Sequence, residues 1–139
     1  MLVKEVMSKN PITIEPDKTV LDACNIYKQH KVGCLIVTKD ERCLGMITER
    51  DIIERTICQG KDPKTTPVSE IMTPEIKTIH ALESIEKAII IMQENNIKKL
   101  PVIKEESIIG ILTVTDITKA RPDLSKRFID SWIKTRWSD

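Results

Sequence analysis

Two aspartates, Asp51 and Asp116, stand in the same sequence pattern and are the residues best suited to chemistry. Each ends a similar run, Gly45-Met46-Ile47-Thr48-Glu49-Arg50-Asp51 and Gly110-Ile111-Leu112-Thr113-Val114-Thr115-Asp116. A carboxylate can accept hydrogen bonds from both vicinal hydroxyls of a ribose. A nearby hydroxyl and a helix N-terminus suit phosphate oxygens. The pattern therefore predicts a ligand notch where a strand ends and a helix begins.

The same spacing also has a purely structural interpretation. Thr-x-x-Asp before an apolar run is a capping-box pattern, formed by Thr48 with Asp51 and by Thr113 with Asp116. Its recurrence does not distinguish the two interpretations, since a duplicated helix needs two caps. Ligand notch and helix cap both stay open on these residues alone.

Both patterns belong to an internal repeat. A shift of 65 positions lays residues 3–55 over residues 68–120 without a gap. Identical pairs include Val3/Val68, Glu5/Glu70, Met7/Met72, Thr13/Thr78, Ile14/Ile79, Ala23/Ala88, Val37/Val102, Gly45/Gly110, Thr48/Thr113 and Asp51/Asp116. Two copies are too few for a solenoid array, so we expect a pair of repeats related by a pseudo-twofold axis.

Each copy has the predicted order β-α-β-β-α. A short strand (12–14 and 76–79) precedes a helix whose candidate N-caps are Thr19 and Ser84. That helix has apolar residues at i, i+3, i+4 and i+7, namely Val20, Ala23, Cys24 and Tyr27, then Ile85, Ala88, Ile89 and Met92. Two strands follow, over 32–38 and 44–48 and over 97–103 and 108–113, and then a second helix. One copy has too little interior to be stable alone. We therefore expect an α/β fold of the α+β type with the two sheets packed together.

The repeat predicts the domain organisation. Residues 1–58 form the first repeat, 59–67 a linker with breaks at Gly60, Pro63 and Pro67, and 68–120 the second repeat. Residues 121–139 form a tail. Its apolar residues predict a short amphipathic helix over 124–137. We expect this helix to dock on the body or across a dimer interface; the alternative, a membrane-surface helix, is less favoured because aspartates offset its basic residues.

Composition excludes several classes of protein. Lys plus Arg (22) against Asp plus Glu (21) leaves a formal charge of +1, which does not favour nucleic-acid binding. No apolar run approaches the ~20 residues of a membrane span, and the N-terminus has charge where a signal peptide needs an apolar run. The four cysteines (Cys24, Cys34, Cys43 and Cys58) and two histidines show no metal-binding spacing. We expect a cytoplasmic protein with no metal, in which the cysteines are small buried hydrophobic residues.

A tandem β-α-β-β-α repeat, with Met7-Ser8 or Met72-Thr73 before its first strand and the Asp motif at its end, resembles a pair of cystathionine-β-synthase (CBS) domains. The resemblance covers residues 3–120. It implies a flat two-repeat unit with two clefts that bind adenosine-containing ligands (AMP, ADP, ATP or S-adenosylmethionine) and that often assembles as a disc-like homodimer.

The resemblance also implies which residues line the clefts, by joining the Asp motif of one copy to the first two strands of the other. The Asp116 cleft would use Thr113, Thr115, Asp116, Ile111, Ile12, Val32, Gly33 and Lys99. The Asp51 cleft would use Thr48, Arg50, Asp51, Met46, Ile76, Ile97 and Lys98. Arg50 and the two lysines are either phosphate partners or ordinary solvated charges. The Asp116 cleft is the first candidate for ligand binding, because its motif keeps the hydroxyls of both Thr113 and Thr115.

These observations favour a stand-alone regulatory module that senses an adenosine-containing ligand and signals to a separate effector protein. The alternative is a ligand-free dimeric interaction scaffold in which the Thr-x-x-Asp motifs act only as helix caps. The chain has no Gly-Lys-Ser/Thr phosphate loop, no G-x-G-x-x-G and no nucleophile elbow, so we expect neither an enzyme nor a catalytic cofactor.

Overall fold

The computed structural model describes residues 1–126. It confirms the mixed α/β class, with helices and short strands in the predicted order in both repeats. The α-helices are α1 (Val3–Val6), α2 (Val20–His30), α3 (Glu49–Ile52), α4 (Ile85–Asn95) and α5 (Val114–Ala120). The strands are β1 (Ser8–Lys9), β2 (Thr13–Ile14), β3 (Cys34–Lys39), β4 (Arg42–Thr48), β5 (Thr73–Pro74), β6 (Ile79–His80), β7 (Lys99–Lys104) and β8 (Ser107–Thr113). A π-helical turn (Ile53–Ile57) continues α3, and 3-10 turns cover Val68–Glu70 and Pro122–Leu124.

The chain forms two compact units. Among the described residues, the first unit is 11–76, and the second unit is 1–10 together with 77–126. The first unit contains the sheet β2-β3-β4-β5, and the second contains β1-β8-β7-β6. In each sheet the two central strands form an antiparallel hairpin, β3–β4 or β7–β8. A two-residue strand pairs in parallel at one edge (β2 or β6), and another pairs antiparallel at the other edge (β5 or β1).

The two units exchange the leading segments of their repeats. Strand β1, from the first repeat, pairs with β8 of the second repeat. Strand β5, from the start of the second repeat, pairs with β4 of the first. Residues 1–10 are therefore a structural part of the second unit, although the repeat register assigns them to the first copy.

The capped helices agree with the prediction from spacing. The Thr19 hydroxyl accepts the Asp22 N–H at 3.1 Å at the start of α2, and the Ser84 hydroxyl accepts the Lys87 N–H at 3.2 Å at the start of α4. The predicted apolar face of α4 is buried, whereas Cys24 and Tyr27 of α2 are only half-buried. Both helices end at a residue in the left-handed conformation, which closes the last turn.

The first strand of each copy is shorter than predicted. Strand β2 covers Thr13–Ile14 and β6 covers Ile79–His80, so Ile12 and Ile76 lie outside the ladders. Both are edge strands that pair with only one neighbour. Pro11 and Pro16 flank β2 and have no N–H to donate, which limits the ladder there.

Each unit has its own aliphatic core. In the first unit the fully buried residues include Val20, Ala23, Leu35, Val37, Ile47, Val68 and Ile71. In the second they include Val3, Ala88, Ile89, Leu100, Val102, Leu112 and Ile117. The presence of Val3 in the second core and Val68 in the first follows from the exchange of leading segments.

The joint between the repeats is packed against α2. The Val20 N–H donates to the Thr66 carbonyl at 2.9 Å, and the Leu21 N–H donates to the Pro63 carbonyl at 2.9 Å. Gly60 has φ 71°, the left-handed conformation expected of a glycine that ends a helix.

The cysteines differ from the prediction in one respect. Cys34 is buried and Cys24 and Cys43 are half-buried, but Cys58 is exposed. Cys58 follows the π-helical turn, at the solvent-facing end of that helix, so the expectation that all four are buried was wrong. All four are free thiols, and burial raises the pKa of Cys24 and of Cys43.

Most of the predicted tail helix, including Phe128, Trp132 and Trp137, lies outside the described residues. Leu124, its first apolar residue, packs against the core of the second unit. Among residues 1–126 no helix is long and apolar enough to cross a bilayer.

Candidate functional site

Asp116 closes a capping box and keeps its second carboxylate oxygen outside the helix. The Thr113 N–H donates to Asp116 Oδ2 at 3.0 Å, and the Asp116 N–H donates to Thr113 Oγ1 at 3.0 Å. The Ser8 hydroxyl donates to the other oxygen, Asp116 Oδ1, at 3.0 Å. We call Ser8, Thr113 and Asp116 the Asp116 cluster; it belongs wholly to the second unit.

Asp51 forms the same box but has a different outer partner. The Thr48 N–H donates to Asp51 Oδ2 at 2.9 Å, and the Asp51 N–H donates to Thr48 Oγ1 at 3.3 Å. Asp51 Oδ1 lies 3.7 Å from Arg55 Nε. Arg55 Nη1 also donates to the carbonyls of Ile71 and Met72, each at 3.2 Å. Thr48, Asp51 and Arg55 form the Asp51 cluster of the first unit.

These contacts confirm the capping-box interpretation without excluding a ligand. In each cluster the cap uses Oδ2, while Oδ1 is turned toward a side chain from outside the capping box. A carboxylate has about four lone-pair sites. The same aspartate can therefore cap its helix and accept hydroxyls from a sugar.

Gly45 and Gly110, the glycines of the two motifs, are required because a neighbouring strand passes too close for a side chain. A Cβ at Gly45 would lie 2.6 Å from the Thr73 carbonyl oxygen, and a Cβ at Gly110 would lie 2.8 Å from the Ser8 carbonyl oxygen. The missing side chains let β5 and β1 lie directly against β4 and β8. In the second unit this close approach brings Ser8 to Asp116.

The predicted lining residues divide between the two units. The first unit contains Ile12, Val32, Gly33, Met46, Thr48, Arg50, Asp51 and Ile76. The second unit contains Ile97, Lys98, Lys99, Ile111, Thr113, Thr115 and Asp116. Each predicted cleft thus draws residues from both units.

Within each unit, strand pairing determines the neighbours of several predicted lining residues. The Ile12 carbonyl accepts the Ile36 N–H at 3.2 Å, and Ile36 pairs with Met46, so Ile36 of β3 lies between Ile12 and Met46, which belong to different predicted clefts. In the second unit Ile111 lies opposite Ser8 in the β1–β8 ladder. Val32 and Ile97 are half-buried and pack against the cores of their units.

The predicted phosphate partners differ in their surroundings. Lys99 lies opposite Thr113 in the β7–β8 ladder, and the Lys98 carbonyl accepts the Val114 N–H at 3.0 Å. Both lysines therefore lie beside the Asp116 motif, although Lys98 is predicted to serve the Asp51 cleft. Arg50 is 81% exposed, and its Nε donates to Glu54 at 2.9 Å, a hydrogen bond that raises the pKa of Arg50.

Sequence reasoning missed two residues, Ser8 and Arg55. Ser8 occupies the repeat position of Thr73, so a shared hydroxyl was visible, but its contact with Asp116 joins residues 108 positions apart. Arg55 occupies the repeat position of Ala120. That difference of charge between the copies was the signal that could have identified it.

The CBS domain family model matches this chain twice, over residues 3–57 and 68–123. The chain belongs to the CBS-domain family. It is similar to the CBS domain-containing protein YhcV of Bacillus subtilis, with 36% identity over 115 residues that make up 83% of this chain and 81% of that protein. It is also 30% identical to hypoxic response protein 1 of Mycobacterium tuberculosis over 121 residues, 86% of this chain and 85% of that protein.

Solved CBS structures have the same fold as this CBS-domain protein. The hypoxic response protein I structure with two coordinated zinc ions matches with a TM-score of 0.80 and 28% identity, over 86% of this chain and 98% of that one. The CBS domain pair of protein MJ0100, in complex with 5′-methylthioadenosine and S-adenosylmethionine, matches with a TM-score of 0.77 and 30% identity, over 88% and 97%. Among residues 1–126 no group of three or more His, Cys, Asp or Glu side chains could hold a metal ion.

Proposed function

We propose that this CBS-domain protein is a non-catalytic regulatory module that binds an adenosine-containing ligand and signals its presence to a partner protein. Asp116 and Asp51 would each bind the ribose hydroxyls of one ligand. The MJ0100 domain pair, a relative of similar length and fold, is complexed with two adenosine compounds, which supports this class of ligand.

The observation that carries the proposal is the outward oxygen of each capping aspartate. Asp116 Oδ1 already accepts a hydroxyl hydrogen bond, from Ser8 at 3.0 Å. A ribose presents two hydroxyl donors of the same kind, so it can share or replace that contact at little cost.

The remaining cleft residues complete the proposal. The Asp116 cleft would add Thr115 and Lys99 for phosphate, and Ile111, Ile12, Val32 and Gly33 against the adenine. The Asp51 cleft would add Arg50 and Lys98 for phosphate, and Met46, Ile76 and Ile97 against the base. Aliphatic walls with a few polar groups at one end are typical of small-molecule sites.

Thermal unfolding with AMP, ADP, ATP and S-adenosylmethionine tests ligand binding. A ligand present at ~100 times its dissociation constant should stabilise the protein by about 2.7 kcal/mol and raise the melting temperature by several degrees. Native mass spectrometry of freshly purified protein would show a retained ligand directly. If no compound changes the melting temperature and no mass is retained, the ligand-free scaffold is the better description.

We also propose that the protein forms a homodimer. Ile53 and Ile57 lie four positions apart in the π-helical turn, near the same side of the helix, and are 57% and 58% exposed. Large aliphatic side chains that project together into solvent are typical of an interface. Light scattering should give twice the chain mass for the wild type and the monomer mass for Ile57→Glu. Leu82→Glu, at a 55% exposed leucine, is the matched control; a monomeric wild type would contradict the proposal.

A further inference from the structure

The two aspartate clusters differ most in the group that faces Oδ1. In the Asp116 cluster this group is the neutral Ser8 hydroxyl. In the Asp51 cluster it is the guanidinium of Arg55. The repeat register places Ala120 at the position of Arg55, so α5 of the second unit has no cation at that point.

Arg55 is held in place by more than its contact with Asp51. Its Nη1 donates to the carbonyls of Ile71 and Met72, both at 3.2 Å, while Nε lies 3.7 Å from Asp51 Oδ1. The backbone of the segment before β5 therefore fixes the positive charge beside the carboxylate. The Arg55 side chain is 49% exposed and that of Asp51 is 15% exposed, so the pair lies at the surface within reach of a ligand.

We propose that Arg55 makes the Asp51 cluster selective for adenosine ligands that carry an anionic group such as a phosphate. This inference rests on the proposed function. An uncharged nucleoside that hydrogen-bonds to Asp51 Oδ1 competes with the Arg55 guanidinium for this oxygen and provides no negative charge to replace it. An anionic ligand offers the guanidinium a charge-assisted partner while its ribose takes the carboxylate. In the Asp116 cluster the outer partner of Oδ1 is a neutral hydroxyl, so a ribose that takes this oxygen displaces no cation.

Calorimetric titration with adenosine and AMP tests the selectivity. Asp116→Ala isolates the Asp51 cluster, and in this background AMP should bind about fivefold more tightly than adenosine, the upper end of the effect of one partly exposed ion pair. Adding Arg55→Gln, or Arg55→Ala to reproduce Ala120, should reduce the AMP-to-adenosine affinity ratio by about fivefold. Circular dichroism would show whether either variant is unfolded, and in that case the other variant still tests the selectivity.

A matched control removes a different cation of the same unit. Lys61 lies 3.8 Å from Glu70, outside the Asp51 cluster. Lys61→Gln changes the net charge by the same amount as Arg55→Gln, and it should leave the AMP-to-adenosine affinity ratio unchanged. An Arg55 variant in the Asp116→Ala background that keeps the AMP-to-adenosine affinity ratio of Asp116→Ala alone would overturn this inference and leave the proposed function intact. A wild type that binds neither compound, and none of ADP, ATP and S-adenosylmethionine, would overturn both.

Discussion

The Ser8 hydroxyl donates a 3.0 Å hydrogen bond to Asp116 Oδ1, although the two residues lie 108 positions apart and in different repeats. This contact exists because β1 pairs with β8, with Ser8 opposite Ile111. The first residues of the chain therefore build the surroundings of the second repeat's aspartate. The corresponding oxygen of Asp51 faces Arg55, so duplicated motifs have acquired different electrostatic environments.

Asp116→Ala should weaken ligand binding at least tenfold, because it removes the acceptor of the ribose hydroxyls. It should also lower the free energy of unfolding by about 1 kcal/mol through the lost cap. Titration calorimetry and urea denaturation measure the two effects separately. Asp22→Ala is the control, since Asp22 forms the same capping box with Thr19 outside both clusters. If Asp22→Ala weakens binding as much as Asp116→Ala, the role of Asp116 is capping alone.

Gly45→Ala should lower the free energy of unfolding by about 1–3 kcal/mol, because its Cβ would lie 2.6 Å from the Thr73 carbonyl oxygen and force β5 away from β4. Gly110→Ala should act in the same way on β1. Gly60→Ala is the control: it has open space around it, and only its φ of 71° costs energy, about 1 kcal/mol. Equal losses in urea denaturation for all three variants would contradict the close-approach explanation.

Tyr27 should make the protein sensitive to alkali. Its hydroxyl donates to the Ile47 carbonyl at 2.6 Å, and burial raises the pKa of the Tyr27 phenol, with smaller contributions from Cys34 and Asp51. Because the unfolded chain releases this proton first, at a pKa of about 10, the stabilisation is complete below that pH and is lost as the pH rises through the higher folded pKa.

Tyr27→Phe should therefore cost about 1 kcal/mol at neutral pH and lose less stability than the wild type above pH ~10. Tyr27 is the only tyrosine of the chain, so the phenolate absorbance reports on it alone. A titration midpoint of the folded protein at or below that of the urea-unfolded chain would contradict the prediction.

Val3→Ala should destabilise the second unit, by about 2 kcal/mol, because Val3 is fully buried in that core. Val68→Ala, at the equivalent repeat position, should act on the first unit. Hydrogen exchange separates the two: Val3→Ala should reduce protection at Leu100 and Leu112, and Val68→Ala at Leu35 and Ile47. The reverse pattern would mean that the leading segments are not exchanged.

The fold was predictable where the signals are local. Thr19 and Ser84 were identified as N-caps from spacing, and the capping boxes of Thr48 and Thr113 were recognised as one of two interpretations. A cap depends on hydrogen bonds between residues three positions apart, so the sequence contains it directly. The exposure of Cys58 was not predictable in this way, because it depends on where the π-helical turn places the end of its helix.

The amino-acid sequence by itself determined the duplication, the order of elements in each copy, the two candidate aspartates and the family. Tertiary structure decided which segment completes which unit, and therefore which group faces each aspartate. Ser8 faces Asp116, and Arg55 faces Asp51. Arg55 is held there by hydrogen bonds to the carbonyls of Ile71 and Met72. The physical reason is that a two-residue edge strand has almost no periodicity of its own. Its partner is selected by register and close packing against Gly45 or Gly110, and that selection requires the assembled sheet.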